Sequence, residues 1–116
     1  MEPLVSVCIP AYNNVEYIKD TIDSILNQTY QNIELVIVDD NSKDNTYELI
    51  QEIGDERIKL YHNDKNLGMS GNWNRCLSLC TGKYAKLVCA DDILSPDALK
   101  REVDALEANP TAVIAE

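Results

Sequence analysis

The sequence predicts an α/β fold, a mainly parallel sheet with helices on both faces. Three observations predict it. Apolar runs rich in Val, Ile and Leu occur at residues 4–9, 33–38 and 84–90, too continuous for half-exposed strands. The stretches between them carry apolar residues at helical spacing. Pro, Gly or a cluster of Asn, Asp and Ser separates each run from the next. The 116 residues suit one domain with one core.

In order, residues 4–9 form the first strand, closed by Pro10. Asn13 or Asn14 caps the helix that follows, with Val15, Ile18, Ile22, Ile25 and Leu26 on its apolar face. Residues 33–38 are the second strand, which ends in a carboxylate pair, Asp39 and Asp40. Asp44, Asn45 or Thr46 caps a short helix bearing Leu49, Ile50 and Ile53, and Gly54 stops it. The alternating residues 58–61 read as a third, more exposed strand at a sheet edge. A polar, Gly-containing loop over residues 63–71 leads to a helix at 70–80, with Trp73, Leu77 and Cys80 in apolar positions. Thr81 and Gly82 stop it. The fourth strand runs straight into a second carboxylate pair, Asp91 and Asp92. Ser95 as cap and Pro96 in the first turn start a last helix with Leu99, Val103 and Leu106 inward. Asn109 and Pro110 end it, and a fifth strand begins at Ala112.

Right-handed crossovers leave few arrangements. The long loop before the third helix suits a crossing to the far side of the first strand, which gives the order 3-2-1-4. Ligands of such sheets bind beyond the carboxyl ends of the strands, at the switch point between strands 1 and 4. Pro10 to Asn13, Asp39, Asp40, the Asn66-Leu-Gly68 loop, Asp91 and Asp92 all fall there.

Two adjacent carboxylates at the end of a buried strand repel each other and need water, donors or a cation. Taken alone, Asp91 and Asp92 are open to a metal or to a plain solvent-facing loop. With strands roughly 4.8 Å apart, the two pairs stand about 10 Å apart across the first strand. That is the reach of a nucleoside diphosphate. One pair can face a base N–H, the other can hold a metal that bridges to the diphosphate, and Tyr12 can stack on the base.

Twenty Asp and Glu against ten Lys and Arg give a formal charge of −10, which argues against nucleic acid or an anionic membrane surface as partner. An anionic ligand would need a cation, helix N-termini or a few placed bases. No apolar run approaches a membrane span, and the Met-Glu-Pro start is not a signal peptide. Cys8, Cys76, Cys80 and Cys89 lie in apolar patterns without zinc or redox spacing, and read as buried free thiols of a reducing compartment. His62 reads as a strand-end surface residue, Trp73 as packing, and Lys65 and Arg75 as solvated.

Five collinear stretches resemble family 2 glycosyltransferases of the GT-A fold: Val5-Ser-Val-Cys-Ile-Pro-Ala-Tyr-Asn13, Glu34-Leu-Val-Ile-Val-Asp-Asp-Asn-Ser42, Asn66-Leu-Gly68 with Asn74, Thr81-Gly-Lys-Tyr84, and Ala90-Asp-Asp92. Each is weak alone; their order makes the likeness specific. The resemblance implies a Rossmann-like GT-A fold and transfer of a sugar from a nucleotide-sugar donor, a UDP-sugar, with inversion and with Mg²⁺ or Mn²⁺. Pro10, Tyr12 and Asn13 would line the nucleoside pocket, and Asp40 would accept from the base with Asp39 beside it. Asn66, Gly68 and Asn74 would belong to the donor-pocket wall. Asp92 would hold the metal, with Asp91 on the ribose or a metal-bound water.

Cys89 stands where many members carry a further Asp, and Trp73 where an Arg often precedes the matched Asn. In the family the acceptor site and general base lie downstream of the acidic motif, so the resemblance implies a donor-binding portion, truncated on its C-terminal side, and no catalytic base is assigned. The acceptor is a saccharide or lipid-linked hydroxyl. The expected location is cytoplasmic, with any inner-membrane contact supplied by other segments or partners, and an uncovered sheet edge is expected to favour self-association. A non-catalytic nucleotide-sugar-binding module is the alternative. A response-regulator receiver domain would want its acidic pair after the first strand, where this chain has Pro-Ala-Tyr-Asn.

Overall fold

The computed structural model describes residues 2–108. Its elements are β1 (Val5–Ala11), α1 (Ile18–Leu26), β2 (Ile33–Asp39), α2 (Thr46–Ile53), β3 (Ile58–His62), α3 (Gly68–Ser78), β4 (Tyr84–Leu87) and α4 (Ala98–Ala108). The sheet order is β3-β2-β1-β4, all pairs parallel, as the crossover argument requires. One face packs Val5, Val7, Ile9, Leu35 and Ile37 against Ile18, Ile22 and Ile25 of α1, Ile50 of α2, and Leu99 and Val103 of α4. On the other face, Cys8, Val36 and Val38 meet Cys76 of α3. All seven residues of β2 are buried. Among the described residues no helix is long and apolar enough to cross a membrane.

The first strand does not close at Pro10; it pairs with β2 through Ala11. β4 pairs with β1 only as far as Cys8, whose carbonyl accepts from Val88 N–H. Pro10 faces that same side two residues on, beyond the end of the ladder, so its missing N–H costs no strand bond.

At α2 the Asp44 carboxylate accepts from Thr46 N–H (3.0 Å), as one of the expected caps, but the starts of α1 and α4 differ from expectation. α1 opens at Ile18 on a turn in which Tyr17 and Ile18 donate to the Asn14 carbonyl, and Val15 stays exposed in that turn. Asn14 Oδ1 instead accepts from Tyr12 N–H at 2.8 Å. α4 opens at Ala98, after a turn at Pro96 and Asp97, not on Ser95. Its Leu99 N–H is capped from afar: the buried Gln28 Oε1 accepts it at 3.0 Å, while Gln28 Nε2 donates to the Ser95 carbonyl. The apolar face of α4, Leu99, Val103 and Leu106, is buried as expected. The expected stop at Asn109 and Pro110 and the strand from Ala112 lie outside the described residues.

α3 starts two residues early and is rotated from its expected face. Asn72 and Cys76 point inward, Leu77 is exposed and Trp73 half-buried. Asn72 is polar yet buried because Nδ2 donates to the Val38 carbonyl (3.0 Å) and Oδ1 accepts from Asn63 (2.9 Å). Those bonds set the helix azimuth more firmly than the apolarity of its neighbours. Cys8 and Cys76 are buried as expected, and Cys80 is half-buried. Burial pushes the Cys8 and Cys76 thiols up, Cys76 to about 12, and Cys80 packs on Cys8. Cys89 is the exception, exposed at the end of the fourth strand because the ladder ends at Leu87.

At the amino end of the sheet, β2 buries a charge. Glu34 accepts from Ser6 Oγ (2.5 Å), Lys59 Nζ (2.7 Å), Thr81 N–H (2.8 Å) and Thr81 Oγ1 (2.9 Å). Ser6 Oγ in turn accepts from Gly82 N–H at 2.8 Å. Gly82 lies so close to β1 that a Cβ there would meet the Leu4 carbonyl oxygen at 2.6 Å. Burial alone would raise the Glu34 carboxyl, but Lys59, Ser6 and Thr81 outweigh it and hold the group down to about 2. A lowered folded-state value stabilises the fold above the ordinary carboxylate range, and that stability is lost as pH falls toward the folded value.

Glu34→Gln is therefore expected to destabilise the chain by roughly 2 kcal/mol at neutral pH, a figure discounted for the half-exposed Lys59. Urea unfolding should show the deficit shrinking as pH falls below about 4.5 and vanishing near about 2. A deficit that is constant with pH would contradict the charge assignment.

Candidate functional site

At the carboxyl ends of β1, β2 and the fourth strand lies a cavity of about 600 Å³. Pro10, Ala11 and Tyr12 form one wall, Asp40 the floor at the β2 side, and Cys89, Ala90 and Asp91 the far end. Asn66, Gly68, Met69, Asn72 and Trp73 close it from the start of α3.

The β2 side is built around Asp40, which is 2% exposed. Its Oδ1 accepts from Leu67 N–H (2.7 Å) and Asn63 Nδ2 (2.8 Å), and its Oδ2 from Gly68 N–H (3.1 Å). Helix N-termini leave unpaired N–H groups that favour an anion, and α3 receives one from a residue 28 positions earlier in the chain. Asn66 Nδ2 donates to the Asp40 carbonyl, so both ends of Asp40 hold the loop. Gly68, at φ 80°, is a position any side chain would strain. Oδ2 of Asp40 carries one protein donor and so keeps spare acceptor capacity.

Asp39, its neighbour, is wholly buried and does not line the cavity. It accepts from Ser42 Oγ (2.5 Å) and Ser42 N–H (3.0 Å), and His62 Nδ1 lies at 3.2 Å. Ser42 Oγ accepts from Asn13 N–H (2.9 Å), and Asn13 Oδ1 accepts from Lys43 N–H (2.8 Å). Asn13 and Asn41 both take positive φ, 52° and 60°, a conformation Asn tolerates better than most residues. This lattice joins the β1 and β2 loops and fixes the backbone next to Tyr12. His62 is the exposed strand-end residue expected, and it also partners Asp39 and makes an edge-type ring contact with Tyr47.

At the far end, Thr21 Oγ1 of α1 donates to the Ala90 carbonyl (2.9 Å), and Asp92 N–H donates to the Cys89 carbonyl (3.0 Å). The turn is thus pinned while Asp91 and Asp92 both stay exposed.

The structure brings Pro10, Tyr12, Asp40, Asn66, Gly68 and Asp91 onto one cavity. It leaves Asn13, Asp39, Asn74 and Asp92 off the lining: Asn13 and Asp39 act behind it, Asn74 is exposed on α3, and Asp92 adjoins it. Asn63, Asn72, Ser42 and Glu34 were not singled out as site or network residues from the sequence. A charged Glu34 inside an otherwise apolar strand was a signal, since such a residue must meet donors. Nothing local marks Asn63 or Asn72, whose partners lie 23 and 34 residues away.

Among the described residues no group of three or more His, Cys, Asp or Glu is assembled as a metal centre. Asp91 and Asp92 nonetheless suit a hard divalent ion. Mg²⁺ is commonly held by one or two carboxylates together with ligand phosphates and water, not by an all-protein cage.

A doubly wound parallel sheet with a cavity at its switch point places that cavity where ligands of such α/β folds bind. The chain belongs to the family described as glycosyl transferase family 2, whose profile matches residues 6–116. An uncharacterised glycosyltransferase of Haemophilus influenzae is 43% identical over 109 residues, 92% of this chain and 34% of that protein. The chain thus spans about a third of that relative's length. Two solved structures share the GT-A fold. Staphylococcus aureus TarS residues 1–349 in complex with UDP gives a TM-score of 0.85 at 26% identity, covering 95% of this chain and 33% of that one. The mannosyltransferase PcManGT of Pyrobaculum calidifontis, in complex with GDP-Man and Mn²⁺, gives 0.88 at 28% identity, covering 97% and 34%.

Asp40→Ala removes the acceptor for three donors and is expected to cost about 3 kcal/mol. Hydrogen exchange should show the Leu67 and Gly68 amides losing protection beyond the global effect. Unchanged exchange at those amides would refute the role of Asp40 as anchor of α3.

Proposed function

We propose that this chain is the donor-binding part of a glycosyltransferase that moves a sugar from a nucleotide-diphosphate sugar, a UDP-sugar, to an acceptor hydroxyl with inversion. The observation that carries the reading is one cavity with a buried acceptor, Asp40, at one end and exposed carboxylates, Asp91 and Asp92, at the other, across β1. Asp40 Oδ2 is the acceptor for a base N–H. Tyr12 and Pro10 hold the nucleoside side with Asn13 behind them, and Asn66 and Gly68 complete the wall. Asp92 would hold Mg²⁺ or Mn²⁺, with Asp91 on the ribose or an ion-bound water. When bound, the ion would withdraw charge from the departing diphosphate.

The family membership and the UDP and GDP-Man complexes of two structural neighbours support this reading. The charge is consistent with it: in a protein of formal charge −10, a bound cation is one way to bring a diphosphate to an acidic site. An inverting transfer also needs a base for the acceptor proton, and no residue of this chain is assigned to it. The acceptor is a saccharide or lipid-linked hydroxyl, met by the remainder of a longer enzyme.

Calorimetric titration with UDP and UDP-sugars, with and without Mn²⁺, is expected to show metal-dependent binding. Asp92→Ala should remove the metal dependence. Binding without sugar release or transfer in a parallel assay would mark the chain as a nucleotide-sugar-binding module. Absence of binding to any nucleotide would sink both.

A further inference from the structure

Trp73, the chain's single tryptophan, does not pack where its apolarity suggests. It belongs to neither hydrophobic cluster of the described residues. The inward face of α3 is taken by Asn72 and Cys76. The bonds of Asn72 to Val38 and Asn63 lock the helix rotation, and one residue further round, Trp73 turns about 100° from that face. There it lines the cavity together with Met69, four residues earlier and so on the same side of the helix. Met69 is 75% exposed, so its side chain is free to meet a ligand at the cavity mouth.

We infer that Trp73 and Met69 form a stacking wall that receives the base of the bound nucleotide. The inference rests on the donor-site reading and deepens it. α3 packs over β1 and β2, and its first turn is held by Asp40. The wall is thus carried by the helix whose start Asp40 fixes. An indole face and a thioether match a flat ring and offer nothing to a phosphate. Neither group reads the polar edge of a base, since the indole has a single N–H donor and the thioether sulfur is only a weak acceptor. The wall thus supplies affinity for any base, and discrimination between bases falls to Asp40.

The test uses the emission of the one tryptophan alongside calorimetry, in the presence of Mn²⁺. UDP and GDP are expected to change Trp73 emission with the midpoint found by calorimetry. Pyrophosphate, which lacks a base, should bind without that change. Trp73→Leu should weaken UDP by about tenfold and leave pyrophosphate unaltered, and Trp73→Phe should keep most of the affinity, in line with base–aromatic stacking. UDP that binds the wild type without altering emission, and binds Trp73→Leu equally well, overturns the wall and leaves the donor site standing. Equal weakening of UDP and pyrophosphate in Trp73→Leu also overturns it, because the side chain would then only shape the cavity. If no nucleotide binds the wild type, the donor-site reading falls and the wall with it.

Discussion

β2 is buried along its whole length, yet the chain places carboxylates at both its ends, Glu34 near its start and Asp39 and Asp40 at its finish. An ionised carboxylate out of water is tolerated only where donors replace its hydration. Each of these three must therefore draw donors from elsewhere in the chain, and the rest of the fold is arranged to supply them. Glu34 gathers β1 through Ser6, β3 through Lys59 and the α3–β4 turn through Thr81. Asp39 gathers His62 at the end of β3 and Ser42 in the loop after β2. Asp40 gathers the loop before α3 and its first turn. The parallel ladders could form without these links, but the loops that shape the cavity could not hold their places.

The two Asp-Asp pairs look alike in sequence and are physically opposite. Asp39 and Asp40 are 0% and 2% exposed and already serve as acceptors within the protein. Asp91 and Asp92 are exposed, on a turn held by backbone bonds and by Thr21. The first pair is a scaffold with a little acceptor capacity left over. The second is free to meet a cation. That asymmetry gives the cavity a direction, with a fixed hydrogen-bonding end under α3 and a charged, adaptable end beyond the fourth strand. It also accounts for how an acidic protein can present a site to an anionic ligand without a cluster of Lys and Arg.

Much of this was legible from pattern. Continuous apolar runs gave three strands and an alternating stretch the fourth, at the edge, and crossover handedness with one long loop gave the order of all four. Leu99, Val103 and Leu106 gave the inner face of α4. What pattern missed were places where a polar side chain outranks an apolar one. Asn72 fixes α3 and so turns Leu77 outward and Trp73 toward the cavity. Gln28 caps α4 from across the fold, so Ser95 is not needed. His62 and Ser42 meet at Asp39 only after β2 and β3 have paired. These bonds depend on residues far apart in the chain, which local spacing does not encode. Cys89 was misplaced for a simpler reason: the apolar run outlasts the ladder, and its last residues belong to the cavity's edge.

The central claim is the direction of the cavity, with the base at Asp40 and α3 and the metal-bound diphosphate at Asp91 and Asp92. Amide NMR spectra of the ¹⁵N-labelled chain test it directly, first with UDP and Mg²⁺, then with a trace of Mn²⁺. The account predicts ligand-induced shifts at Tyr12, Leu67 and Gly68, and paramagnetic broadening centred on residues 89–92 that spares Leu67 and Gly68 comparatively. Broadening strongest at Leu67 and Gly68, or shifts confined to the far end, would contradict it.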